Sequence, residues 1–231
     1  MDDERGRRVL AEILEEQSAA SAIDTVAAGL RRRILNGDFR PGEFLRDVRM
    51  AEEAGTSRHT FRAAARLLVS QGLLRQIPNR GFCVPSFGPD DIVDITRLRG
   101  VLESEAVRMI VLIGAIPPKA VEAVRFMREA QDGEERSLLV AADRDFHRAL
   151  VEASGSPRLR ASYHVLESEI ELLLTQRQSF YTDPAQMAEE HERLIDSLRS
   201  RHHKTAQAAF MEHWADLESK LLQPAANQDK A

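Results

Sequence analysis

The stretch Met50-Ala51-Glu52-Glu53-Ala54-Gly55-Thr56-Ser57-Arg58-His59-Thr60-Phe61-Arg62-Ala63-Ala64 decides how the chain is read. Met50, Ala51, Ala54, Phe61 and Ala64 are its inward apolar positions, at a spacing that lets two short helices bury them against each other. Gly55 falls between the helices, where the reversal asks for a left-handed backbone. Ser57 stands where the second helix needs an N-cap. Together they predict a helix-turn-helix, one helix over about 46–54 and the next from Arg58 to about Gln71.

Upstream, Ile23, Val26, Ala27, Leu30 and Ile34 form the stripe of a helix over roughly 22–36 that stops at Asn36-Gly37. Phe39-Arg40-Pro41-Gly42 is a turn, and Val9, Leu10, Ile13 and Leu14 mark an amphipathic leader over 9–17. Downstream, Leu73 to Ile77, Pro78-Asn79-Arg80-Gly81 and Phe82-Cys83-Val84 read as strand, tight turn and strand. A hairpin directly after a helix-turn-helix is a wing. Residues 1–85 are therefore expected to be a winged helix-turn-helix domain, with the leader occupying 1–21.

Net charge over the 231 residues is −5, which at first argues against a nucleic-acid partner. Its distribution argues for one. Residues 24–85 hold eleven Arg against six acids, whereas residues 86–231 hold 18 basic against 25 acidic side chains. The local excess is all arginine, the side chain best matched to phosphate and guanine. A recognition helix enters the major groove by its N-terminal residues, so Ser57, Arg58, His59, Thr60 and Arg62 are the expected base-facing set. Arg58 and Arg62 lie four apart on one face, expected to be exposed, and lead it. Arg46, Arg49 and Arg80 are expected to hold phosphates and set register. The implied partner is double-stranded DNA, a palindromic operator met by a homodimer with two-fold symmetry.

Ile34-Leu35-Asn36-Gly37-Asp38-Phe39-Arg40-Pro41-Gly42-Glu43-Phe44-Leu45, the Ser57-Arg58 … Arg62 helix start and Pro78-Asn79-Arg80-Gly81 closely resemble the GntR family of winged-helix transcription regulators, over about 24–85. The family usually has Thr-Pro-Val-Arg-Glu-Ala-Leu where His59 to Ala65 stand, and often Glu at Arg49. Those departures bear on the operator sequence, not on the fold.

Pro85-Ser86-Phe87-Gly88-Pro89 is the most linker-like stretch, and the rest of the chain is helical in period. Six helices are expected, over about 90–113, 117–131, 136–153, 157–181, 185–201 and 203–222, making residues 86–231 an all-helical domain and the chain mostly α. Polar side chains interrupt three of the apolar stripes. Asp143 and His147 lie i, i+4 among Leu139, Val140, Phe146, Leu150 and Val151. His191 shares a face with Leu194, Ile195 and Leu198, and His213 with Ala209, Phe210, Trp214 and Leu217. Buried carboxylates and imidazoles are costly unless paired or bound to metal. A core Asp–His hydrogen-bond network and a metal site holding Zn, Ni, Mn or Fe both answer that demand. His164, His202 and His203 sit on polar surfaces or junctions and need no such role. No general base stands out among the inward positions apart from these four.

Asp143-Arg144-Asp145-Phe146-His147-Arg148-Ala149-Leu150-Val151-Glu152-Ala153-Ser154-Gly155 and Leu98-Arg99-Gly100-Val101-Leu102-Glu103 resemble the FCD effector domain of the FadR-like GntR branch, over about 90–222. The resemblance implies a divalent metal on Asp143, His147, His191 and His213, and a small organic acid as effector beside it. Arg99 is a candidate clamp for that carboxylate, or an intramolecular ion pair at a helix surface.

Composition removes other classes. A single Cys83 excludes an internal disulfide framework, no apolar stretch is long enough to span a bilayer, and Met1-Asp2-Asp3-Glu4 is no signal peptide, so a cytoplasmic location is expected. The expected function is ligand-responsive transcription regulation rather than enzymology. Two alternatives stay open: a metal-dependent enzyme tethered to a winged helix, and a DNA-binding protein with a purely structural metal.

Overall fold

The computed structural model describes residues 21–130, 136–177 and 183–223. The expected leader at 9–17 lies outside them. Two compact units are present, one ending at Ser86 and the other beginning at Phe87.

In the first unit, α1 (21–35) buries Ala27, Leu30 and Ile34. Helices α2 (Asp47–Glu53) and α3 (Arg58–Ser70) form the helix-turn-helix, burying Met50, Ala51, Phe61, Ala64, Ala65 and Leu68. Gly55 between them has φ +59°, and the reversal is closed by Thr56 N–H donating to the Ala51 carbonyl at 2.9 Å. The Ser57 hydroxyl accepts from Thr60 N–H at 3.0 Å, a cap worth about 1 kcal/mol.

Strands β2 (Arg75–Ile77) and β3 (Gly81–Cys83) form the wing hairpin, with Asn79 at φ 61° in its turn. A third strand, β1 (Phe44–Leu45), was not foreseen. It pairs antiparallel with β3, giving the order β1-β3-β2. Two residues are too few to show alternation, so only the partner strand reveals it. Phe82, fully buried on β3, meets Phe61 of α3 edge-on at 6.3 Å and ties wing to recognition helix.

The second unit holds six helices among the described residues: α4 (Pro89–Ile113), α5 (Pro118–Glu129), α6 (Arg136–Ala153), α7 (Pro157–Gln176), α8 (Pro184–Arg199) and α9 (His203–Leu222). Helix α7 ends at Gln176, with Arg177 outside the helical region at ψ 51°, and the last part of the expected helix, 178–181, lies outside the described residues. Ser156 and Asp183 cap α7 and α8 through their side-chain oxygens. The core gathers Val107 and Ile110 of α4, Val124 and Met127 of α5, Phe146 and Leu150 of α6, Leu194 and Leu198 of α8, and Phe210 and Trp214 of α9. Each large apolar side chain buried this way contributes about 1.5–3 kcal/mol. Gly100 lets α4 approach α9: a Cβ there would lie 3.2 Å from Trp214 Cε3.

Candidate metal centre and nucleic-acid interface

The N-terminus of α3 presents Arg58 and His59 to solvent, with Thr60 half-buried beneath. Ser57 is occupied as the cap and also bonds the Thr60 hydroxyl at 2.8 Å. Arg62 departs from expectation. It is half-buried, paired with Asp47 of α2 at 2.5 Å, and lies over the Phe82 ring at 5.5 Å. Arg49 pairs with Glu53 at 2.6 Å, and the Arg80 guanidinium stacks on Phe44 at 4.3 Å, while Arg46 is exposed. Exposed pairs of this kind are weak and screened by salt, so a phosphate can compete for Arg49. Between recognition helix and wing lies a cleft of about 830 Å³, lined by Phe44, Arg46, Asp47, Arg62, Asn79 and Arg80 among others.

In the second unit, Asp143 and His147 from α6, His191 from α8 and His213 from α9 converge, one ligand atom from each lying within 4.8 Å of the others. His191 Nε2 is 3.2 Å from Asp143 Oδ1, His147 Nε2 is 3.7 Å from the same oxygen, and His147 Nε2 is 3.3 Å from His213 Nε2. Phe146 packs edge-on against the rings of His147 and His191, with centroids at 4.9 and 4.7 Å, and fixes their tilt.

Hydrogen bonding on the far side of two rings sets what points inward. His191 Nδ1 lies 2.8 Å from the Met187 carbonyl, which only accepts, so Nδ1 carries the proton. His147 Nδ1 lies 2.8 Å from Glu103 Oε2 and must donate likewise. With Nδ1 as the donor, Nε2 of each ring turns toward the cluster, that of His191 to Asp143 Oδ1 and that of His147 to His213 Nε2. An acceptor facing an acceptor at 3.2 Å is repulsive unless a cation or an added proton stands between them. The donor set, three imidazoles and a carboxylate, suits a first-row divalent ion, and each of these two rings has the outer partner that such ligands use.

Charge agrees. Burial penalises the Asp143 and Glu103 carboxylates; for Glu103, Arg99 and then His147 outweigh it, and for Asp143 a positive charge shared with His147 and His191, together with Arg99, does so, holding both well below the usual carboxylate range. Burial likewise opposes the Arg99 charge, and Glu103, Tyr163 and Asp143 override it. Burial and then the Arg99 charge push His147 down, and burial with the other two imidazoles pushes His213 well down, so both are neutral at pH 7. Two buried anions therefore face one buried cation, leaving a net negative centre.

Arg99 is not at a helix surface. It is 1% exposed, bonded through Nε to Glu103 at 2.8 Å, and its Nη2 is 3.8 Å from Asp143. Neither Nη1 nor Nη2 has a hydrogen-bond partner among the described residues, and Asp143 Oδ2 is also unsatisfied. Unpartnered buried donors beside this cluster call for a partner of their own, an anion or a water.

Inward acids were missed. Glu103 is fully buried, and Glu167 and Glu171 of α7 are largely buried, facing Arg144 of α6. None of these acids was named among the inward positions by the sequence reading, which looked there for a general base; both oxygens of Glu103 are occupied by donors. The i, i+4 spacing of Arg99 and Glu103 was the available signal. His164 and His202 are exposed and take no part in the cluster. A separate groove of about 490 Å³ between α5 and α6, floored by Ala123, Phe126 and Ala142, includes none of the four ligands in its lining. No helix among the described residues is long and apolar enough to cross a membrane.

Residues 22–84 match the family of bacterial regulatory proteins, gntR family, and residues 94–216 match the FCD domain. The chain is 30% identical over 200 residues to the probable D-xylose utilization operon transcriptional repressor of Paenarthrobacter nicotinovorans, covering 83% of this chain and 86% of that protein. It is 24% identical over 214 residues to the gluconate operon transcriptional repressor of Bacillus subtilis (strain 168), covering 88% and 86%. Among solved structures, a transcriptional regulator GntR from Rhodococcus sp. RHA1 superposes with a TM-score of 0.74 at 25% identity, covering 87% of this chain and 98% of that one.

Proposed function

The chain belongs to the gntR family of bacterial regulatory proteins, with the FCD domain of its FadR-like branch, and from that premise we propose that a small carboxylate bound beside a metal ion sets its affinity for operator DNA. It is a DNA-binding transcriptional regulator, and as a homodimer it offers two recognition helices to a palindromic site. Asp143, His147, His191 and His213 hold one divalent ion, Zn, Ni, Mn or Fe by donor type. Bound there, the ion supplies a positive position that accepts a carboxylate oxygen. Arg99 offers the same anion two free donors. The gluconate operon repressor among its relatives is named for an operon of a sugar acid, a carboxylate of the class this charge selects.

The observation that carries this reading is His191 Nε2 facing Asp143 Oδ1 at 3.2 Å while the Nδ1 proton of that ring is committed to the Met187 carbonyl. The free Arg99 nitrogens favour an effector site over a purely structural metal. Against catalysis, Glu103, the acid bonded to His147, has both oxygens taken by donors. Purified protein is expected to carry about one divalent ion per chain, removable by chelator. Elemental analysis of His213→Ala should show it lost and of His164→Ala retained; full metal in His213→Ala places the ion elsewhere.

On the DNA side, Arg58 is exposed and Arg62 is held by Asp47, so Arg58 is the better placed to reach a base. Arg58→Ala is expected to weaken specific binding by about 1–3 kcal/mol and relax preference at one base pair. A uniform loss across all duplex sequences, read by competition binding, would make Arg58 a phosphate contact instead.

A further inference from the structure

We propose that Glu103 is the positioning residue of the metal centre: its carboxylate fixes the tautomer of His147 and fastens that ligand to three other helices. The inference rests on the metal reading above. Glu103 is wholly buried on α4 and accepts four hydrogen bonds. Oε1 takes Arg99 Nε at 2.8 Å and the Tyr163 hydroxyl at 2.6 Å. Oε2 takes His147 Nδ1 at 2.8 Å and Trp214 Nε1 at 2.9 Å. The donors come from α4, α7, α6 and α9.

Each bond constrains the next. Because an ionised carboxylate only accepts, His147 is protonated at Nδ1 and presents Nε2 to Asp143 and His213. The full negative charge of Glu103, more than a neutral acceptor could, raises the basicity of that ring. Arg99 sits against both carboxylates, its Nε 2.8 Å from Glu103 and its Nη2 3.8 Å from Asp143, and so ties this acceptor to the ligand cluster from a second side. Trp214, the only tryptophan of the chain, shares Oε2 with His147 and directly follows the ligand His213. Rotation of Glu103 would therefore release a metal ligand and the α9 anchor together.

The test uses the full chain, stripped by chelator and titrated with Zn²⁺ in a calorimeter. Glu103→Gln is expected to weaken Zn²⁺ binding about 10–100-fold. Tyr163→Phe and Trp214→Phe each remove one donor but keep the His147–Glu103 bond, and should bind Zn²⁺ close to the wild-type value. Equal weakening in all three, tracking their loss of thermal stability, would reduce Glu103 to a packing hub and overturn the proposal. A second measurement needs no Glu103 variant: ¹⁵N-histidine NMR of the stripped wild type, with His147 assigned from His147→Gln. The Nδ1–H tautomer is expected there, and Nε2–H would overturn the proposal even if Glu103→Gln fails to fold. If the wild type binds no Zn²⁺, Mn²⁺ or Ni²⁺, the metal reading fails by itself, and the tautomer still decides whether Glu103 sets His147.

Discussion

Arg99→Ala is expected to destabilise the metal-free C-terminal unit by about 3–5 kcal/mol, because it leaves the buried Glu103 and Asp143 carboxylates without their shared cation. Lost packing accounts for only part of this. Arg99→Met keeps most of the side-chain volume and should lose nearly as much stability, whereas Arg99→Lys keeps the charge but not the planar fork and should fall between. Chemical denaturation of chelated protein reads the effect. A loss below about 1 kcal/mol in Arg99→Met would mean that the carboxylates simply take up protons and that the buried charge is not maintained. In metal-loaded protein the loss should shrink, since the ion then compensates Asp143. The difference between the two series measures how far ion and guanidinium share one job.

What the chain disclosed in advance follows from where each signal resides. Asp143 and His147 were legible because both interrupt the apolar stripe of a single helix. His191 and His213 were legible for the same reason on theirs. Arg99 entered only through a resemblance, as a clamp or a surface ion pair, and the burial of Arg99 and Glu103 was not legible, because α4 inverts the usual pattern: Leu98 is 48% and Val101 62% exposed, while the charged residues beside them are buried. What stabilises those charges is Tyr163, His147 and Trp214, contributed by three other helices, and no periodicity within α4 records them. The same limit hid the Asp47–Arg62 pair, which joins two helices of the helix-turn-helix, and β1, whose two residues are a strand only through β3.

Filling the centre with a small carboxylate is expected to change operator affinity by a factor of about 5–150, and operator DNA to change carboxylate affinity by the same factor. The reason is the closure of the site. Arg99, Asp143, His147 and His191 are each at most 1% exposed, so an anion cannot reach the free Arg99 nitrogens without some movement of the helices that enclose them. The proposed ligands sit on α6, α8 and α9 and the proposed clamp on α4, the helix that begins three residues after Ser86, where the first unit ends. An opened arrangement of these helices that admits the anion is expected to bind it better than the closed one, which is the condition for a ligand to shift a population at all. With the ion in place the two carboxylates and the guanidinium leave the centre with a net single positive charge; without it the charge is negative and the anion is repelled. Calorimetry with a panel of small mono- and dicarboxylates, on loaded and chelated chain, with and without a duplex selected from a random pool, reads every arm. Carboxylate binding that survives chelation and ignores DNA would separate the two units functionally, whatever metal the centre holds.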